Sequence, residues 1–466
     1  GELLGVFPKS SAADVARAVE AAKAAYEEWR LVPAPRRGEI LFRFGALLAD
    51  AKNEVAELMA REMGKVLPEA AGDVQEAIDM SYYMGGEGRR LFGQTTPSEL
   101  RDKFNMSVRQ PIGVVGVITP WNFPIAIPSW KIAPALVCGN TIVFKPATDT
   151  PLLGERFVEL LVEAGVPAGV INVVHGGGGE VGDRLVRHPD VPVITLTGSR
   201  ETGVAVLESA AQNLKHVHLE LGGKNAIIVL DDADLDLAVE GIVWSAFGTS
   251  GQRCTAASRV IVQEGVYEEL QKRLVGAAEK LRHGPGWEEG VDVGPVINKR
   301  ALEKIHSYTE IGKDEGAKLL TGGEVASGNG LGEGTFYRPT IFGDVDPEMR
   351  VAQEEIFGPT TALIRVKDVD EAIRVSNGIE FGLSSSIFTR DVNTAFRAMR
   401  DLEAGITYIN AGTIGAEVHL PFGGVKGTGN GHREAGQAAL DVFTEWKSIY
   451  VDYSGKLQKA QIDTGE

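Results

Sequence analysis

Cysteine is almost missing from this chain, with two in 466 residues. That excludes a disulfide framework and fits a reducing compartment, so a cytoplasmic location is expected. Positive charge is also short. Against 64 Asp and Glu stand 47 Lys and Arg, a formal net charge of −17, which suits neither nucleic acid nor an anionic membrane as a partner. No apolar run approaches the roughly 18 residues a membrane span needs. No charged segment followed by an apolar one marks a secretory signal. What is present is ordinary, at 43% hydrophobic and 24% charged residues. This is a soluble globular composition, in a chain long enough for two or three domains.

The order of patterns predicts an α/β protein. Residues 1–9 read as the end of a strand and a turn. Ser10-Ser11 then opens a helix with Val15, Val19, Ala22 and Tyr26 at helical spacing. Long helical patterns follow over about 36–63 and 68–91. From Met106 two strand-like runs split at Pro111, and strands then alternate with helices at about 151–164, 180–187 and 200–214. That is the rhythm of a doubly wound parallel sheet. A second alternating block runs from Asn225 to about 410, with helices at about 234–247, 266–281, 298–314, 368–377 and 391–401, and residues 446–453 return to strand character. Two α/β domains joined near residue 221 are expected.

Several stretches carry chemistry-bearing residues. Cys138 sits in an apolar run, as a packing thiol would. Cys254 lies in Gly248-Thr-Ser-Gly-Gln-Arg-Cys-Thr-Ala-Ala-Ser-Arg259, on backbone able to turn tightly. It is either a nucleophile, with Arg253 supplying positive charge, or an inert thiol. Thr195–Gly203 follows a strand and opens a helix, which makes either an anion site or a plain turn. Gly176–Gly179 reads as a flexible loop. His216-Val-His-Leu-Glu220 puts three candidate ligands on one face of an extended segment. Its ends stand roughly 13 Å apart, too far to share a metal held at about 2 Å. No metal is expected. Glu220 is better suited to be a general base at a strand end. Asn122, in an exposed Pro-bracketed loop, can donate to an oxyanion.

Seven motifs then occur in one order: Pro120-Trp-Asn-Phe-Pro124, Phe144-Lys-Pro-Ala147, Thr197-Gly-Ser199, Leu219-Glu-Leu-Gly-Gly-Lys224, Gly251-Gln-Arg-Cys254, Glu354-Glu-Ile-Phe-Gly-Pro359 and Pro421-Phe-Gly-Gly424. On these the whole chain resembles the aldehyde dehydrogenase superfamily. The resemblance implies a Rossmann-like cofactor domain at 1–92 and 112–221 and an α/β catalytic domain at 222–436. It also implies a small β arm at 93–111 and 437–466 that builds a homo-oligomer, dimer or tetramer.

The same resemblance makes Cys254 the nucleophile toward an aldehyde, with Asn122 and the Cys254 N–H holding the oxyanion. Glu220 activates the water that hydrolyses the thioester, and Lys131 lies near the proton path unless it merely snorkels. Thr119, Pro120, Trp121, Lys145, Ala147, Thr148, Gly198, Ser199, Leu221, Glu355 and Phe357 are the implied contacts to NAD or NADP. Thr148 stands where NAD-preferring members often carry a glutamate, so NADP is expected to be accepted, unless Asp149 turns inward. Arg253, Glu417 and Phe422 are the implied substrate contacts. Arg253 either anchors the far carboxylate of a semialdehyde or pairs with a neighbouring acid, and Glu417 either repels that carboxylate or pairs with Arg253. A broad-specificity aldehyde dehydrogenase and a catalytically inert scaffold on the same fold are the alternatives.

Overall fold

A computed structural model describes residues 2–328 and 330–462. Four helices come first. Ser11 starts the first, Ala12–Trp29, through a capping box with Asp14 that satisfies free N–H groups at its start. The segment before it, residues 2–9, carries no strand, contrary to the sequence reading. The pattern over 36–63 is two helices, Ala34–Asp50 and Lys52–Met63, broken at Ala51. No glycine or proline marks that break, and the apolar spacing continues across it, so periodicity alone joined the two. The fourth helix spans Leu67–Glu87.

A five-stranded parallel sheet follows, in the order Ile171–Val173, Thr141–Lys145, Val114–Ile118, Val193–Thr197, His216–Glu220. The chain builds outward from Val114–Ile118 in one direction and then returns to build in the other. The neighbouring strands Val114–Ile118 and Val193–Thr197 stay paired to their carboxyl ends, and the chain leaves those ends in opposite directions along the sheet, where open α/β sheets leave a crevice for ligands. Residues 119–122, 197–199 and Glu220 all lie at those ends.

The second sheet has seven strands, in the order Lys318–Thr321, Thr340–Gly343, Thr360–Val366, Ala257–Gln263, Asn225–Val229, Ser384–Phe388, Ile406–Ile409. All pairings are parallel except the first, at the edge. The chain leaves Glu220 at the carboxyl end of one sheet and enters Asn225 at the amino end of the other. Cys254 precedes the amino end of Ala257–Gln263. Carboxyl ends of one sheet thus meet amino ends of the other, and the site lies in that seam.

A third, antiparallel sheet joins Gln94–Pro97, Lys103–Pro111 and Thr444–Asp452. The chain just before its last strand, Ala435 to Phe443, packs into the large core beside the five-stranded sheet. No helix among the described residues is long and apolar enough to cross a membrane.

Candidate active site

Cys254 is held by a turn that ordinary residues rarely make. Thr249, Ser250 and Gly251 take successive φ values of 51°, 55° and 69°. A Cβ on Gly251 would lie 2.1 Å from the Gly358 carbonyl oxygen, so only glycine fits there. Glu69 holds the turn from another helix, accepting from the Thr249 N–H at 2.7 Å and its hydroxyl at 2.9 Å. Beyond the turn, Asn225 Nδ2 donates to the Cys254 carbonyl at 2.7 Å. Cys254 is left half-buried, whereas Cys138 is fully buried.

The surroundings of the Cys254 thiol are the reverse of the electropositive pocket expected from Arg253. Burial pushes the thiol up to about 12, and the carboxylates of Glu220, Glu355 and Glu434 add to the effect. Arg253 is committed elsewhere. Its Nε donates to Thr249 Oγ1 at 2.9 Å, and Nη2 lies 3.3 Å from Glu69. Its guanidinium also stacks over Phe123 and Trp244 at 5.4 and 5.1 Å.

A cavity of about 250 Å³ brings Cys254, Arg253, Glu220, Leu221 and Phe422 together. Phe422 is set edge-on against Trp130, at 5.0 Å between ring centres. Glu220 is buried and neither carboxylate oxygen has a side-chain hydrogen-bond partner. Burial, then the neighbouring Glu434 carboxylate, holds its carboxyl well above the usual range. Glu417 stands apart from the lining residues. It does not line the cavity, is exposed, and pairs with His419 at 3.3 Å rather than with Arg253.

Two further expectations change. Asn122 is buried, at 3% exposure, rather than exposed; its Nδ2 donates to the Gln252 carbonyl at 3.0 Å while Oδ1 has no partner. One amide hydrogen remains for another acceptor beside the turn that carries Cys254. Lys131 does not snorkel: at 1% exposure it is ion-paired to Glu434 and donates to Thr195 Oγ1 at 3.0 Å.

A second space lies near the start of the helix that Ser199 caps, although none of the expected nucleotide contacts lines it. A cleft of about 430 Å³ lies between the helix Arg200–Ala211 and the turn Gly178–Gly182, with Ile118, Leu196 and Val206 as its apolar walls. The run read as a flexible loop supplies that turn. Ser199 caps the helix and is exposed beside Gly198, whose N–H donates to the Glu220 carbonyl.

Lys145 is buried between Thr119 and Ala147, and burial lowers it to about 8. Its Nζ donates only to the Pro146 carbonyl, at 3.0 Å. Thr148 is exposed and donates to the Gly176 carbonyl at 3.2 Å, and Asp149 accepts from Asn298 at 3.2 Å. Glu355 accepts from the Gly223 N–H at 3.0 Å, and a Cβ on Gly222 would lie 2.4 Å from its carboxylate. Phe357, at φ 61°, stands edge-on to Trp121 at 5.7 Å, next to Pro120.

Sequence reasoning missed the partners that hold these groups. Glu69 and Glu434 act on residues 180 and 303 positions away. Only folding joins them, and no local motif announces either.

The match to the aldehyde dehydrogenase family model covers residues 1–449. The chain belongs to that family. It is 44% identical to the alpha-ketoglutaric semialdehyde dehydrogenase of Bacillus subtilis, over 97% of this chain and 92% of that protein. With the NADP(+) succinate-semialdehyde dehydrogenase GabD of Escherichia coli it shares 41% identity, over 97% and 92%. The crystal structure of Staphylococcus aureus betaine aldehyde dehydrogenase with NAD+ superposes with a TM-score of 0.96 at 34% identity, covering 98% of this chain and 90% of that one. As a family member the chain is an oxidoreductase that acts on aldehydes with NAD(P). Its fold is the α/β fold of the family.

Proposed function

We propose that this aldehyde dehydrogenase oxidises a short semialdehyde bearing a distal carboxylate to the free acid. The observation that carries the proposal is Arg253 in the same cavity as Cys254 and Glu220. A guanidinium has five N–H donors; Thr249 and Glu69 engage two groups of this one, leaving donors to face the cavity. The relatives named for ketoglutarate, glutarate and succinate semialdehydes support the same substrate class.

Cys254 loses its proton to solvent, and Sγ adds to the aldehyde carbon. The new alkoxide is held by the free Asn122 amide hydrogen and the Cys254 N–H. Lys145, Ser199 and Glu355 would hold NAD(P), which would supply the acceptor for the hydride whose loss from the adduct leaves a thioester. The arrangement fits such a group: a buried ammonium with donors to spare, a capped helix start, and a carboxylate that only a glycine neighbour admits. Glu220 takes a proton from the water that cleaves the remaining thioester, releasing the acid and restoring the thiol.

NADP is accepted because Thr148 brings no charge against a 2′-phosphate. The chain is divided as its motifs imply, with Thr444–Asp452 and its exposed Trp446 and Tyr450 pairing subunits into a homo-oligomer, in the cytoplasm.

The deciding measurement is kcat/KM for 2-oxoglutarate semialdehyde and for pentanal, each with NADP and NAD. The charged aldehyde is expected to lead, and Arg253→Met to remove about 10- to 100-fold of that lead while sparing pentanal, the worth of a charge-assisted hydrogen bond. Equal efficiencies would return Arg253 to a structural role. Efficiencies overwhelmingly favouring NAD would sink the Thr148 argument.

A pH effect follows from the acids at the same end of the cavity. Asp73 is ion-paired to Lys65 at 2.7 Å and Glu69 to Arg253. Glu76 has no such partner, and burial, helped by Asp73, raises it to about 8. It is therefore neutral at pH 7 and becomes an anion above pH 8. KM for the carboxylated aldehyde is expected to climb above that pH, and KM for pentanal to stay level. A parallel rise in both would remove Glu76 from the account.

A further inference from the structure

His218 has no part in the chemistry above, yet its imidazole lies between Lys131 and Glu220. It is 2% exposed. Lys131 Nζ, which can only donate, donates to Thr195 Oγ1 at 3.0 Å. Thr195 Oγ1 lies 3.1 Å from His218 Nδ1. Thr195 is itself fully buried, so its own hydroxyl proton needs an acceptor, and Nδ1 is the one in reach. The other candidate partner of Nδ1, Glu434 Oε1, lies 3.6 Å away, beyond hydrogen-bond distance.

With Nδ1 accepting, the ring proton sits on Nε2. That nitrogen is buried without a partner, and the facing acceptor is Glu220 Oε1 at 3.9 Å. Both oxygens of Glu220 likewise lack a close side-chain partner, with only the Gly424 N–H acting on them from the backbone. Orphaned donor and orphaned acceptor thus confront one another at 3.9 Å, a gap the carboxylate must shorten by about 1 Å to accept the bond.

We propose that His218 is a positioning residue for Glu220: the chain Lys131–Thr195–His218 fixes the imidazole as an Nε2–H donor that orients the carboxylate and favours its ionised form for water activation. The proposal rests on Glu220 being the base. The histidine stays neutral, because burial and then the charges of Lys131, His432 and Arg433 hold it well below its usual value. The groups around it are Lys131, Glu220, Glu434, Arg433 and His432, the last an edge-on ring at 5.6 Å. Of these, Lys131 and Arg433 favour an ionised Glu220 while Glu434 opposes it.

The test uses His218→Phe, which keeps a ring and loses the donor, with His218→Gln and His218→Asn. A glutamine amide reaches the place of Nε2, whereas an asparagine amide reaches only that of Nδ1. With 2-oxoglutarate semialdehyde and NADP, the first-turnover burst of reduced cofactor and the aldehyde KM are expected to hold in His218→Phe. On the alkaline-rising limb of the pH profile, steady-state turnover should fall about tenfold as that limb moves up by about one unit, one unit being tenfold in carboxylate fraction. His218→Gln should restore most of the loss and His218→Asn little. An unmoved pH limb, a burst slowed together with turnover, or equal behaviour of Gln and Asn would overturn the proposal. Glu220→Gln run alongside separates the two levels. If it turns over normally, the role of Glu220 itself fails; if it is disabled while His218→Phe is normal, only the histidine fails.

Discussion

Cys254→Ala is expected to lower aldehyde oxidation by at least about 10⁴-fold, the scale on which losing a covalent nucleophile acts. The loss should come without unfolding. The side chain is small and half-buried, and the turn beneath it is held by Glu69, Ser250 and Asn225, not by the thiol. Cofactor binding should survive as well, since none of the proposed nucleotide contacts involves the sulfur.

The electrostatics add a second readout. With the thiol pushed up to about 12 by burial and by Glu220, Glu355 and Glu434, the thiolate fraction below that value grows tenfold per pH unit. Alkylation of the free protein by iodoacetamide should therefore accelerate about tenfold per unit from pH 7 to 10. Cys138, fully buried and also raised to about 12, should stay unlabelled. Substantial oxidation by Cys254→Ala would make Cys254 an inert thiol and require another nucleophile.

Glu220→Gln is expected to separate the two halves of the reaction. The amide has the shape of the carboxylate but cannot take a proton from water. A positioned base contributes typically 10²–10⁴-fold, so steady-state turnover should fall by about 10²- to 10³-fold. The first turnover should still yield one equivalent of reduced cofactor per subunit, and intact-protein mass should show an acyl group on Cys254.

In the native chain the sign of the pH effect is set by burial and by Glu434, which raise the carboxyl well above the usual range. Hydrolysis should therefore quicken as pH rises through that raised range and the carboxylate forms. In Glu220→Gln that rise should vanish. Unchanged turnover would remove Glu220 from the hydrolytic step.

Much of this was legible in the chain before folding. Strand–helix alternation from Met106 to about 410 reports a local property, the match between side-chain period and backbone geometry. Ser11, Ser199 and Asp234 cap helices close to where their patterns begin. Misreadings came where local pattern gave no signal. The helix break at Ala51 leaves the apolar period intact, and the glycine run at 176–179 reads as loose although it leads into a single π-helical turn beside a cleft.

The sequence by itself determined the backbone chemistry and the reactive set: which thiol sits on turn-forming residues, which carboxylate ends a strand, which lysine and amide stand near them. Tertiary structure alone decided their state. Burial depends on what the rest of the chain lays over a residue, and Coulomb interactions depend on distance in space rather than along the chain. That is why Arg253 turned out to serve Glu69 rather than the thiol, and why Lys131 found Glu434 instead of solvent. It is also why Glu417, placed by its motif at the substrate, stands outside the cavity paired with His419.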